Sequence, residues 1–307
     1  MRIVVTGKEG QIARSMAALG PRMGVDIVTV GRPELDLAEP GGVMAALEAA
    51  RPDAIVAAAA YTMVDKAETE RDLAFAVNGA GAKAVAEAAA RLGVPLLHLS
   101  TDYVFDGRKT TPYVETDPTM PACVYGASKL AGERYAAEAA GDLAIFRTAW
   151  VYSPYGVNFL KTMLRLAETR DRITVVCDQQ GCPTSADDIA HALILAARRM
   201  IEEPDEKYRG IFHLTGAGHA SWAEFAQEIL FLAETHGRRP AAVAPVTSDQ
   251  YPSPVRRPAN SRLSGEKLAH IYGIALPDWR ISTRKVVDTL LGCTLSQPRS
   301  ALSGERQ

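Results

Sequence analysis

The first half of the chain alternates short, almost unbroken apolar runs with longer stretches of helical period. Ile3-Val4-Val5, Ile27-Val28-Thr29-Val30, Ala54-Ile55-Val56, Leu96-Leu97-His98-Leu99 and Leu143-Ala144-Ile145-Phe146 predict strands. Their lack of polar alternation predicts burial on both faces, as in a parallel sheet covered by helices. Helices are predicted between them from near Gln11, Gly41, Asp72 and Tyr125, the third running into Ala84-Val85-Ala86-Glu87-Ala88-Ala89-Ala90. This βαβαβ rhythm gives an α/β fold with a doubly wound, Rossmann-like parallel sheet. After about Trp150 turn-rich segments take over, such as Tyr152-Ser153-Pro154-Tyr155-Gly156 and Tyr251-Pro252-Ser253-Pro254. They predict a smaller α/β lobe laid over the carboxyl ends of the strands, with helix 186–200 packing back on the sheet. The expected division is a nucleotide-binding domain of residues 1–149 plus about 186–210, a substrate lobe of 150–185 plus about 211–295, and a frayed polar tail, 296–307.

The chain has 307 residues, enough for one large or two smaller domains. A net charge of −2 offers no bulk attraction to nucleic acid or to an anionic membrane. No apolar run approaches the roughly 20 residues of a membrane span, and the opening strand turns to glycine too soon for a secretory leader. Cys123, Cys177, Cys182 and Cys293 are scattered, and Cys177 and Cys182 have no histidine partner nearby, so free thiols in a reducing cytoplasm are expected.

Gly7-Lys8-Glu9-Gly10-Gln11-Ile12-Ala13 follows the first strand and opens a helix. Gly7 permits the tight turn, Gly10 lets the backbone approach a pyrophosphate, and Ala13 allows close helix–strand packing. Gly7, Gly10, Gln11 and Ile12 are therefore candidate cofactor contacts. The spacing resembles the turn of the extended short-chain dehydrogenase/reductase superfamily. At the end of the second strand, where an NAD enzyme usually carries an acid, the chain reads Gly31-Arg32-Pro33, and Asp26 sits at the wrong end. A guanidinium there suits a 2′-phosphate, which predicts NADPH over NADH; the alternative is a solvated loop cation.

Tyr125-Gly126-Ala127-Ser128-Lys129 places a phenol and an ammonium on one helical face. A lysine charge nearby favours the phenolate and makes the tyrosine a usable acid, and the small residues between leave room for a ribose that Lys129 could also bind. The fourth strand ends in Ser100-Thr101-Asp102-Tyr103, and the carboxyl ends of parallel strands are where open α/β sheets bind ligands. Thr101 is the expected carbonyl-polarising hydroxyl; Ser100 is expected to satisfy backbone.

Several stretches resemble the dTDP-4-dehydrorhamnose reductase family: residues 100–107 (STDYVFDG), 58–68 (AAAYTMVDKAE), 147–152 (RTAWVY), 158–164 (NFLKTML), 178–184 (DQQGCPT) and 257–261 (RPANS). They extend the likeness over residues 1 to about 292 in order. The resemblance implies reduction of the C4 ketone of dTDP-6-deoxy-L-lyxo-4-hexulose to dTDP-L-rhamnose. It implies Tyr125 as proton donor, Lys129 as its tuner and ribose ligand, and Thr101 as the polarising hydroxyl. It further implies Asp102, Tyr103 and Trp150 at the sugar, and Ala58, Ala60 and Tyr61 along the cofactor. Trp150 could equally anchor the seam between lobes, and Asp65 and Lys66 could be a solvated pair. Asn158 and Arg257 are candidate contacts of the sugar nucleotide, with Lys161, Arg165, Gln179, Arg256, Asn260 and Arg262 behind them.

The chain departs from the family pattern at Ala57, where asparagine is expected, and near Arg14-Ser15 and Ala186-Asp187-Asp188, which lack the glutamates of magnesium-bridged members. No metal requirement and a monomer or weak homodimer are expected. A related nucleotide-sugar epimerase or dehydratase is disfavoured because Tyr103 stands where a glutamate would follow Thr101-Asp102. A non-catalytic regulatory homologue is disfavoured because Thr101, Tyr125 and Lys129 are all intact.

Overall fold

All five apolar runs become neighbouring strands of one sheet: β1 Arg2–Thr6, β2 Asp26–Val30, β3 Ala54–Ala57, β4 Leu96–Thr101 and β5 Leu143–Thr148. The computed structural model describes residues 1–251 and 253–292; Cys293 and the expected tail lie outside the described residues. A sixth strand, Gly210–His213, completes the sheet beside β5, and the order across it is sixth strand, β5, β4, β3, β1, β2. Every pairing is parallel. The chain therefore leaves β1 for β2 on one side and returns to β3 on the other. That reversal opens a crevice at the strand ends between β1 and β3, the usual seat of a dinucleotide.

Helices α1 (Gln11–Leu19) and α8 (Ala186–Glu202) cover one face, and α2 (Val43–Ala50), α5 (Ala82–Leu92) and α6 (Val124–Ala139) cover the other. The helix expected from near Asp72 is divided: α4 (Arg71–Phe75) passes through a π-helical stretch, Ala76–Gly81, into α5. Close approach explains the wide turn. A Cβ on Gly81 would lie 2.6 Å from the Leu37 carbonyl, and one on Gly132 of α6 only 2.1 Å from that of Asn78. A short α3 (Val64–Ala67) precedes α4.

A second core joins α7 (Phe159–Ala167), α9 (Trp222–Thr235) and α11 (Trp279–Leu291) with the parallel pair Arg172–Val176 and Ala242–Val246. The expected boundary at residue 211 is displaced. The strand Gly210–His213 and α10 (Glu266–Tyr272) pack into the sheet core through Phe212, Leu268, Tyr272, Ile274 and Leu276. The edge of β5 is apolar and requires a covering strand, and Phe212 stacks beside Phe146 at 5.8 Å to supply it.

Candidate active site

The nucleotide turn is built by Gly7 at φ +96°, a conformation that side chains resist, with its N–H donating to the Val30 carbonyl at 2.6 Å. Gly10 begins α1 with open space around it; no side chain caps the helix and no acid sits in its first turn. Four backbone N–H groups at that end are thus available to an anion. Opposite lies loop 58–61. The N–H groups of Ala58 and Ala59 donate to Thr6 Oγ1 at 3.1 and 3.0 Å, and that of Tyr61 donates to Asn78 Oδ1 at 2.8 Å. Ala60 lies between these tethers. Gly7 faces the loop across a gap set by the Ala59 methyl. Ile12 is half-buried against the sheet core, so it supports the helix.

Gln11 opens α1, so its backbone N–H is among those at the helix start. Its side chain turns towards the second lobe, accepting from Ser153 Oγ at 2.7 Å and from Asn158 Nδ2 at 3.0 Å. Asn158 caps α7, and its amide donates to the Ser153 and Tyr155 carbonyls. Both amides are spent on fixing loop 151–158 to the nucleotide turn.

Arg32 is exposed at the end of β2, and its side chain has no hydrogen-bond or ion-pair partner among the described residues. Lys8 joins it there, an additional cation that motif reading passed over. Its Nζ reaches the Arg32 carbonyl at 3.4 Å and pairs with Glu34 at 2.5 Å, holding the Glu34 carboxyl below its ordinary range. Its position inside the glycine turn was the available signal.

Thr101 ends β4, with its hydroxyl accepting from the Tyr103 N–H at 3.2 Å and donating to Asp102 Oδ1 at 2.9 Å. Tyr125, on the first turn of α6, has the Thr101 hydroxyl as a neighbour and meets Tyr103 edge-on at 5.6 Å. Gly126 makes this approach possible, because a Cβ there would lie 2.2 Å from the Tyr103 carbonyl oxygen. The small residues after Tyr125 therefore serve packing: Ser128 also accepts from Asn78 Nδ2 at 2.9 Å, which ties α6 to loop 58–61. Asn78 was not singled out by motif, although an asparagine before two glycines in a helical run was a visible anomaly.

Electrostatics differ from expectation in one respect. Burial pushes the Tyr125 phenol up, with the neighbouring Thr101 hydroxyl opposing it. Lys129, one turn further along α6, is buried, and its Nζ donates to the Leu99 carbonyl at 2.8 Å. Burial brings its ammonium down to about 8, with the charge of Glu133 pulling the other way. Burial also raises the Asp102 carboxyl to about 6, and its Oδ2 has no partner. Ser100 donates to Glu133 rather than to backbone.

Trp150 occupies the seam between lobes. It adopts φ +49°, stacks on Trp222 at 3.5 Å and 6°, and donates from Nε1 to Ser261 at 3.2 Å. With Trp222 on one face and Gly181 against its edge, the ring anchors the seam. Arg257 reaches across the cleft, pairing with Asp65 at 3.0 Å and approaching the Tyr103 hydroxyl at 3.5 Å. Of the remaining candidates, Lys161, Gln179, Asn260 and Arg262 are engaged in bonds within the second lobe or to loop 109–111.

Among the described residues there is no group of three or more His, Cys, Asp or Glu placed to hold a metal. No helix of the described residues is long and apolar enough to cross a membrane.

The family described as RmlD substrate binding domain matches residues 1–291. The chain is 54% identical to a dTDP-4-dehydrorhamnose reductase of Sinorhizobium fredii over 291 residues, covering 95% of this chain and 98% of the relative. It is similar to the crystal structure of a dTDP-4-dehydrorhamnose reductase from Clostridium acetobutylicum, with TM-score 0.87, 34% identity and coverage of 94% and 99% of the two chains. It is also similar to the Bacillus anthracis dTDP-4-dehydrorhamnose reductase solved in complex with NADP, with TM-score 0.85, 34% identity and coverage of 93% and 98%. Together with Thr101 at the end of β4, Tyr125 and Lys129 one turn apart on α6, and an uncapped start of α1, these likenesses place the chain in the dTDP-4-dehydrorhamnose reductase family of oxidoreductases.

Proposed function

We propose that this chain reduces the C4 ketone of dTDP-6-deoxy-L-lyxo-4-hexulose to give dTDP-L-rhamnose, with NADPH as the preferred reductant and NADH possible, as a cytoplasmic monomer or weak homodimer. The placing of Thr101 and Tyr125 together at the carboxyl end of β4, with Lys129 one turn along α6 bonded to the Leu99 carbonyl of that strand, is the observation that supports it. The local donor set suits the cofactor: bare N–H groups for a pyrophosphate, and Lys8 with Arg32 for a 2′-phosphate. NADPH, when bound, supplies the hydride.

The chain's own residues supply the rest. Tyr125 donates its phenolic proton to the C4 oxygen as the carbonyl becomes an alcohol. Burial that raises its pKa keeps that proton in place until it is needed. Thr101 steadies the developing oxyanion from the strand end. The Lys129 ammonium, one turn along the same helix, favours the phenolate left behind. Asp102 and Tyr103 face the sugar, and Arg257 is placed for a phosphate of the dTDP group. Trp150, Gln11 and Asn158 shape the cleft by fixing the second lobe against the first.

The test follows NADPH oxidation on addition of the 4-keto sugar nucleotide, with the product identified by NMR. Tyr125→Phe is expected to lose about a hundredfold or more of the rate while binding cofactor normally. An unchanged rate removes Tyr125 as the acid, and a different product stereochemistry removes the assigned reaction.

A further inference from the structure

Beneath the catalytic helix lies a fully buried ionic cluster that no step above uses. Glu133 follows Lys129 by one turn on α6, so both side chains lie on the helix face turned to the sheet. Glu133 is held by three hydrogen bonds from two side chains. Its Oε1 accepts from Ser100 Oγ at 2.5 Å and from Arg147 Nε at 2.9 Å, and its Oε2 accepts from Arg147 Nη2 at 2.6 Å. Glu133, Arg147, Ser100 and Lys129 are each no more than 5% exposed. A buried ion pair is weak evidence of added stability, since an apolar replacement of similar volume is often as stable or more so. Its position beside Lys129 suggests a different use.

We infer that Glu133 is a positioning residue for the reduction, a carboxylate clamped by Ser100 and Arg147 that keeps the Lys129 side chain, one turn back on α6, charged. This rests on the role given above to Lys129. The neighbours of Lys129 leave Glu133 to do this work. On β4, His98 is buried with neither ring nitrogen hydrogen-bonded, and burial with the Lys129 charge keeps it neutral. On β5, Arg147 carries a like charge and is turned into Glu133. Asp102, after β4, bonds to Thr101 on the cleft side. On α6 itself Tyr125 is neutral, and the π-helical stretch presents the neutral Asn78 to Ser128. The Leu99 carbonyl orients the ammonium but carries no net charge. Burial works against the Lys129 charge, and Glu133 is the group that opposes it.

The experiment is the pH profile of kcat and of kcat/KM for NADPH-dependent reduction by the full chain. Glu133→Gln is expected to move the basic limb to lower pH by roughly one unit, the effect of one nearby opposite charge. Glu133→Asp should recover most of the wild-type position. Titration of the wild-type lysine side chains by 13C NMR, with Lys129 assigned through Lys129→Met, gives a reading that needs no Glu133 variant. A Lys129 resonance that titrates below neutrality in the wild type overturns the inference, as does a basic limb that superimposes on wild type in a folded Glu133→Gln. An active Lys129→Met overturns instead the role of Lys129; an inactive one beside an unmoved Glu133→Gln profile overturns this inference alone.

Discussion

Thr101 and Asp102 are neighbours in sequence whose side chains are also bonded, Thr101 Oγ1 donating to Asp102 Oδ1 at 2.9 Å. The carboxyl group is buried, its Oδ2 is unpartnered, and burial raises it to about 6 despite the hydrogen bond from Thr101. The folded protein therefore holds a proton that the unfolded chain, with a carboxyl near 4, releases earlier. Stability from this group is complete below about pH 4 and is lost as pH rises towards 6. At neutral pH the loss is of the order of 3 kcal/mol. Asp102→Asn, which removes the buried charge, is expected to raise Tm by a few degrees at pH 7.5 and to change it little near pH 4, while weakening turnover. An equal change in Tm at both pH values would contradict the assignment.

Cofactor preference should follow charge at the end of β2. Arg32 is unpaired and exposed, whereas Lys8 is partly neutralised by Glu34. An exposed charge contact is worth about 1 kcal/mol, so Arg32→Ala should weaken NADPH binding roughly fivefold and leave NADH unchanged. Glu34→Gln frees Lys8 and should tighten NADPH by a similar factor. Kd values from fluorescence titration with each cofactor decide; parallel changes for both cofactors would remove the 2′-phosphate from this corner.

The sheet was legible in the chain because parallel strands buried on both faces leave unbroken apolar runs, and all five runs became neighbours. The sixth strand was not: Gly210–His213 is short and closes an edge whose need for a partner exists only once the sheet is formed. In the same way Tyr125 and Lys129 were readable from spacing, but the direction of the Tyr125 shift was not, since burial depends on Tyr103 and the Thr101 turn closing around it. Gln11 and Asn158 read as ligand groups because an amide has the same donors wherever it points. Only the approach of the two lobes, 147 residues apart in sequence at this contact, turns the amides towards each other.

Gly126 tests how tightly the tyrosine is placed. A methyl group there would lie 2.2 Å from the Tyr103 carbonyl oxygen, a backbone atom that cannot rotate away. Gly126→Ala is expected to cost about 1–3 kcal/mol of stability and, by lifting α6 from the strand end, to lower kcat with little change in cofactor Kd. Gly141→Ala, where nothing lies within 4 Å of the added methyl group, serves as the control and should leave both unchanged. If Gly126→Ala keeps full kcat, the contact between α6 and the Tyr103 turn does not set the position of Tyr125.

Arg257 and Asp65 join opposite sides of the cleft by an ion pair of 3.0 Å that is about one-third to one-half exposed. Such pairs contribute between nothing and about 1 kcal/mol to stability, so the bond is cheap to break when a stronger anion arrives. A diphosphate carries more charge than a carboxylate and matches the guanidinium fork better. Arg257→Ala is therefore expected to raise KM for the sugar nucleotide about tenfold, for the loss of a charge-assisted contact of about 1.5 kcal/mol, with NADPH Kd and Tm unchanged. Asp65→Asn should lower that KM by removing the competitor. Steady-state kinetics with the sugar nucleotide varied at saturating NADPH decides the matter. If Asp65→Asn raises KM as Arg257→Ala does, the ion pair orders the site for substrate instead of competing with it.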